Sequence, residues 1–199
     1  DFETKTHPTE LEIISDFLDG NDEAYTLLYK MYVKELYSYG RALTTNIDQV
    51  KDAIQDVFYK ILSHRNLLKD VNNLKSFLFI SLKNRIIDMN RTATTVSDEE
   101  LQTSTFIVNN VTILDNLIEE EDRKEICSKV KKLLNELTSR QREAVCLRYI
   151  YNMKYEDIAR ILNMQNEKSA RNLVSRAIEK LRSENPSIII LLQLVRIGI

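Results

Sequence analysis

Only three glycines and two prolines interrupt the 199 residues of this chain, and both prolines, Pro8 and Pro186, stand near its ends. Gly and Pro are the strongest local punctuators of strands and turns, so a chain this poor in them has few places to build a sheet. Leu, Ile, Glu and Lys recur instead at spacings of three and four, which is the period of an amphipathic helix. The fold expected is all-α.

The residue inventory leaves little for catalysis. His7 and His64 are the only histidines, and Cys127 and Cys146 the only cysteines, too few and too scattered to assemble a zinc site or an acid–base constellation. No metal, no cofactor and no enzymatic activity are expected. Each cysteine sits in an apolar helical stripe and reads as a reduced core residue. The amino terminus shows no basic region followed by an apolar run, which predicts a cytoplasmic protein. The tail PSIIILLQLVRIGI, residues 186–199, is intensely apolar. It is shorter than the roughly 20 residues that cross a bilayer and contains Arg196, so it is expected to pack as a helix or meet a partner, not to enter a membrane.

A formal net charge of −2 is poor equipment for holding DNA unaided. The charge is unevenly placed, however. Residues 137–182 carry ten Lys and Arg against five Asp and Glu, while residues 92–136 carry five against ten. Residues 92–111 are rich in Thr, Ser and Asn without sustained periodicity and read as a linker, although Phe106, Ile107 and Val108 within it are apolar enough to dock. The expected organisation is a helical domain over 9–91, a linker over 92–111, a second helical domain over 112–185 and an apolar extension over 186–199.

In the first domain, a short helix from about Glu10 stops near Gly20. A longer one follows from a cap at Asn21 or Asp22, with Ala24, Leu27, Leu28, Met31, Tyr32, Leu36 and Tyr39 on one side. Two more span about 47–63 and 73–91. On the third, Val50, Ile54, Val57, Ile61 and Leu62 make a buried face, while Asp52, Gln55, Asp56 and Tyr59 form a polar stripe opposite. A solvated face has the same pattern, so periodicity alone does not make the stripe functional. The fourth turns Leu74, Phe77, Leu78, Leu82 and Ile86 inward and places Lys75, Lys83, Asn84, Arg85, Asn90 and Arg91 on its other surfaces. The loop HRNLLKDVNN, residues 64–73, offers Arg65, Asn66, Lys69, Asn72 and Asn73. These suit an unstacked base, and equally an ordinary polar loop.

Near the carboxyl end, Thr138 and Gln141 have the spacing of a capping box. A short helix over 155–162 follows, then a turn at Asn163, a residue that tolerates left-handed backbone. A third helix over about 167–182 buries Ala170, either Leu173 or Val174, Ala177, Ile178 and Leu181. It leaves Lys168, Ser169, Arg171, Asn172, Ser175 and Arg176 outside, as a recognition helix in a helix-turn-helix would. Arg pairs bidentately with guanine and Asn with adenine.

DAIQDVFYKIL, residues 52–62, resembles the conserved helix of region two of the sigma-70 family. LTSRQREAVCLRYIYNMKYEDIARILNM, residues 137–164, with the basic helix ending SRAIEKLR, resembles its region four. With these two regions alone, the chain is similar to extracytoplasmic-function sigma factors. The resemblance implies a transcription initiation factor that binds core RNA polymerase through Asp52, Gln55, Asp56 and Tyr59 on the β′ coiled coil. It implies reading of the minus-ten element among Arg65, Asn66, Lys69, Asn72, Asn73, Lys83, Asn84 and Arg91. It further implies minus-thirty-five contacts from Lys168, Ser169, Arg171, Asn172, Ser175 and Arg176, a region-four contact with the β flap, and an anti-sigma partner. Near-neutral charge then makes sense, because polymerase supplies much of the DNA grip. Phe77 stands where the family often has Trp. The turn NMQNEK is one residue longer than usual and lacks the common glycine, which leaves the register of the recognition helix open by one residue. The acidic 92–136 stretch is expected to shield a basic face of region four. The rival reading is a stand-alone helix-turn-helix regulator whose amino-terminal half senses or dimerises.

Overall fold

Thr9 starts the first helix as a reciprocal cap: its hydroxyl accepts from the Glu12 amide at 3.3 Å while its own amide donates to the Glu12 carboxylate at 2.7 Å. That satisfies donors a helix start leaves orphaned. In this computed structural model, residues 8–93, 106–108 and 121–197 are described. Among them are nine α-helices and no strand, so the all-α expectation holds. The first four are α1 (Glu10–Leu18), α2 (Asp22–Leu43), α3 (Ile47–Ser63) and α4 (Leu74–Ala93), with a 3-10 turn at Arg65–Leu68 before α4. Gly20 ends the α1 segment with a φ of 102° that L side chains rarely adopt. Asn21 and Asn46 cap α2 and α3 through their side-chain oxygens.

The periodicity of these helices dictates their packing. Phe17, Leu36, Val50, Phe58, Leu78 and Leu82 are at most 2% exposed and share one core. Each such side chain contributes on the order of 1.5–3 kcal/mol by leaving water. Leu27 and Met31, expected among the inner residues of α2, are instead exposed, because the buried stripe Ala24, Leu28, Tyr32, Leu36 and Tyr39 is narrower than the apolar one. Phe77 and Leu62 are half-buried, and Phe79 takes the deeper place on α4. Gly40 lies in the middle of α2, where a Cβ would stand 2.7 Å from Cγ1 of Val50. The missing side chain is what lets α3 come this close.

The second half contains α5 (Glu121–Asn135), α6 (Ser139–Tyr149), α7 (Tyr155–Ile161), α8 (Glu167–Glu184) and α9 (Ile188–Ile197). The Thr138–Gln141 capping box opens α6 as expected. Asn163, at a φ of 49°, reverses the chain between α7 and α8, and Asn166 caps α8 by accepting from the Ser169 amide at 2.9 Å. That start settles which side of α8 faces inward. Ala170, Val174, Ala177, Ile178 and Leu181 are buried, whereas Leu173 is only half-buried. The apolar tail forms α9, which packs Ile188, Leu192 and Val195 against α5, α6 and α8. Both cysteines are buried and neither is in a disulfide, and burial pushes the Cys146 thiol up. The expected linker, 92–111, and the start of the expected second domain at 112 lie mostly outside the described residues.

Candidate nucleic-acid and protein interfaces

Asp52, Gln55, Asp56 and Tyr59 all lie on the exposed side of α3, Tyr59 at 70% exposure. The stripe borders a groove of about 480 Å³ between α3 and α4, lined by Asp56, Lys60, Leu67, Phe77, Asn84 and Arg85. At its rim Arg85 Nε donates to Asp56 at 2.7 Å.

The residues expected to face the minus-ten element divide by environment. Asn66, Lys69, Asn72 and Asn84 are exposed along the loop and the outer side of α4, and Arg91 is exposed near its end. Arg65 is not presented to solvent in this way. Its guanidinium lies 4.8 Å from the centre of the Phe17 ring, donates to the Phe17 carbonyl at 2.9 Å and reaches Asp22 at 2.6 Å. Lys83, expected on an outer surface of α4, is 7% exposed. The reason is a partner that local pattern does not reveal. Glu143 of α6, itself 4% exposed, accepts from Lys83 Nζ at 2.7 Å and from the Tyr39 hydroxyl at 2.6 Å. Burial, then the adjacent Glu143 carboxylate, hold the Tyr39 hydroxyl well above its ordinary range; it stays protonated and donates. Asn73, half-buried, donates to the buried Asp157 of α7 at 2.8 Å.

These contacts belong to one seam between the two halves. Tyr39, Phe79, Phe106 and Tyr151 are fully buried there, with ring centres 4.7–6.1 Å apart, within the range at which tilted and edge-on rings attract. The Tyr151 hydroxyl donates to Ser38 at 3.2 Å. Phe106, Ile107 and Val108 do dock, and they bridge both halves. The Ile107 amide donates to the Ala42 carbonyl of α2 at 2.8 Å. The Phe106 amide donates to Ser139 Oγ at 2.6 Å, and its carbonyl accepts from Arg142 Nη1 at 2.7 Å. The shielding expected of the acidic 92–136 stretch falls mainly on residues outside the described set.

On α8, Lys168, Arg171, Asn172, Ser175 and Arg176 are exposed and Ser169 is half-buried, so this group shares one solvent-facing side. Arg171 is not loose: it pairs with Glu167 at 2.5 Å and lies over the ring of Tyr155. Sequence reasoning placed Tyr39 on one side of the second helix without a role, and gave no role to Tyr151, Glu143, Asp157 or Tyr155. Lys83 did carry a signal, since its neighbours one turn away on α4, Phe79, Ile80, Ile86 and Ile87, are all apolar.

The family described as Sigma-70 region 2 matches residues 28–95, and Sigma-70, region 4 matches residues 127–181. The ECF RNA polymerase sigma factor SigM of Bacillus subtilis (strain 168) is 22% identical over 160 residues, covering 78% of this chain and 91% of that protein. The ECF RNA polymerase sigma factor SigX of the same strain is 24% identical over 152 residues, covering 74% and 76%. Among solved structures, CnrH in complex with the cytosolic domain of CnrY aligns with a TM-score of 0.54 at 18% identity over 88% of this chain and 96% of that one. The sigma factor RpoE in complex with the anti-sigma factor NepR, from Bartonella quintana, aligns with a TM-score of 0.52 at 24% identity over 81% and 96%. Both show a shared fold. With regions 2 and 4 matched in order over more than half of its length, and with relatives of one group spanning about three quarters of it, this chain belongs to the extracytoplasmic-function group of the sigma-70 family.

Proposed function

We propose that this chain binds core RNA polymerase through Asp52, Gln55, Asp56 and Tyr59 of α3, and directs it to promoters by reading two DNA elements with its two halves. The observation that carries this reading is the polar stripe itself: four side chains at i, i+3, i+4 and i+7 stand together on the exposed side of a helix whose opposite face is fully packed. On the partner polymerase, the β′ coiled coil is the surface that fits α3 and the β flap is the one that meets region four. Asn66, Lys69, Asn72, Asn84 and Arg91 serve the minus-ten element as the halves stand. Asn73 and Lys83 join them, once released from Asp157 and Glu143. Arg65 is the weakest member of that group, because its donors are directed inward. Lys168, Ser169, Arg171, Asn172, Ser175 and Arg176 serve the minus-thirty-five element, where each good bidentate base contact discriminates by about 1–3 kcal/mol.

Residues 9–91 and 112–185 act as the two binding domains and 92–111 as their connection. The protein works in the cytoplasm, where polymerase and promoter are, and catalyses no reaction of its own. No helix among the described residues is long and apolar enough to cross a membrane. An anti-sigma factor is the expected regulator, and the likeness to the sigma factor RpoE of Bartonella quintana, solved in complex with the anti-sigma factor NepR, supports that expectation.

The test is run-off transcription with purified core polymerase and genomic promoter fragments. Wild type should give promoter-specific transcripts. Asp56→Ala should reduce them by weakening polymerase binding. Arg171→Ala combined with Arg176→Ala should reduce them while polymerase binding is retained. Absence of polymerase binding by the wild-type protein would refute the reading.

A further inference from the structure

We infer that Tyr155 is a positioning residue for promoter recognition, holding the guanidinium of Arg171 in the orientation in which it meets the minus-thirty-five element. This rests on the assignment of Arg171 to that element.

Tyr155 is the first residue of α7 and is half-buried. Two guanidinium groups lie over its ring, those of Arg148 and Arg171, each 4.8 Å from the ring centre. Both distances are within the range at which a ring quadrupole attracts a cation. The two arginines differ in what else holds them. Arg148, at the end of α6, donates from Nη1 to the Met153 carbonyl at 2.9 Å, so it is tied to the backbone and half-buried. Arg171 is on the outward side of α8, its side chain 59% exposed, and is held on its own helix only by Glu167, one turn earlier, at 2.5 Å. The ring therefore links a fixed arginine to one that faces solvent.

An exposed arginine samples many rotamers, and binding DNA freezes one of them. Contacts from two directions, the ring of α7 and the carboxylate of Glu167, restrict that sampling before DNA arrives, which is how preorganisation raises affinity without adding a contact to the ligand. Tyr155 is thus well suited to act through Arg171 without touching the base pairs itself. No hydrogen bond of its hydroxyl enters this account, so the ring alone is required.

The quantity to measure is the ratio of transcription from a promoter with its native minus-thirty-five element to transcription from the same promoter with that element scrambled, using the full chain and core polymerase. Arg171→Ala should lower the ratio about tenfold, within the range of one lost bidentate contact. Tyr155→Leu should lower it about threefold or more in the wild-type background and not at all in the Arg171→Ala background. Tyr155→Phe, which keeps the ring, should retain the wild-type ratio. If Tyr155→Leu does not fold, as judged by circular dichroism, Tyr155→Gln makes the same comparison. An equal loss from Tyr155→Leu in both backgrounds would mean a structural role and overturn the inference, as would a Tyr155→Phe variant as impaired as Tyr155→Leu. An Arg171→Ala variant with an unchanged ratio would overturn the assignment of Arg171 itself, and the role of Tyr155 with it.

Discussion

Arg65 stands in a loop whose composition suits nucleic acid, yet its guanidinium is spent on the junction of α1 and α2. The Asp22 partner is 82% exposed, so that ion pair adds little. The carbonyl contact and the stacking on Phe17 carry the effect. Arg65→Ala should therefore cost about 1–3 kcal/mol and lower Tm by several degrees, about 2–4 °C for each kcal/mol in a protein of this size. Its neighbour Asn66→Ala should leave Tm within about 1 °C, since surface changes away from such contacts are small. Thermal melts followed by circular dichroism compare the two directly. Equal melts would return Arg65 to the DNA-facing group.

Helices α2 and α3 meet at Gly40 and Val50, and the contact is one that a methyl group would break. Gly→Ala in a helix interior ordinarily stabilises by reducing backbone freedom. Here the added Cβ would meet Val50, a β-branched side chain that is itself fully buried, so overpacking prevails. Gly40→Ala should destabilise by about 1–3 kcal/mol, measured as a lower urea midpoint. A stabilised variant would show that α3 can move away at little cost. Helix positions were legible where one apolar stripe repeats cleanly, as on α3, and where a cap or a left-handed residue marks an end, as at Thr138 and Asn163. Helix α5 was legible only as an apolar helical stripe at Cys127, without bounds. Its buried residues Cys127, Val130 and Leu134 are spaced three and four apart, but charged residues surround them and no cap signal announces its start. The stripe on α3 could be seen as polar and could not be seen as functional, because a solvated face has the same period.

The arrangement of the halves was the least legible level. Lys83 and Glu143 are 60 residues apart, and nothing in either helix taken alone says that the two charges meet. Their side chains are 9% and 5% exposed, and removing one member of a buried pair costs about 3–5 kcal/mol because the other stays charged and unpaired. Separating the halves relieves that penalty by returning Lys83 to water. Glu143→Ala should therefore shift the molecule toward separated halves. Hydrogen exchange should quicken at Ile107, whose amide crosses to α2, while protection within the α3–α4 core is kept. Unchanged exchange at Ile107 would mean that the aromatic rings hold the seam without the ion pair.

Residues 106–108 are bonded to both halves, and this makes them a stop on a tape measure. A fully extended chain advances about 3.3–3.6 Å per residue. With the three residues still fastened to one half, the separation is bounded by the number of residues on the other side, and 12 residues, the length of 94–105 and of 109–120, reach at most about 43 Å. Released from both, the bound is that of 27 residues, 94–120, at most about 97 Å. Fastening or freeing three residues thus sets how far apart the two halves can stand and, on the function proposed above, which spacings between promoter elements a single molecule can measure.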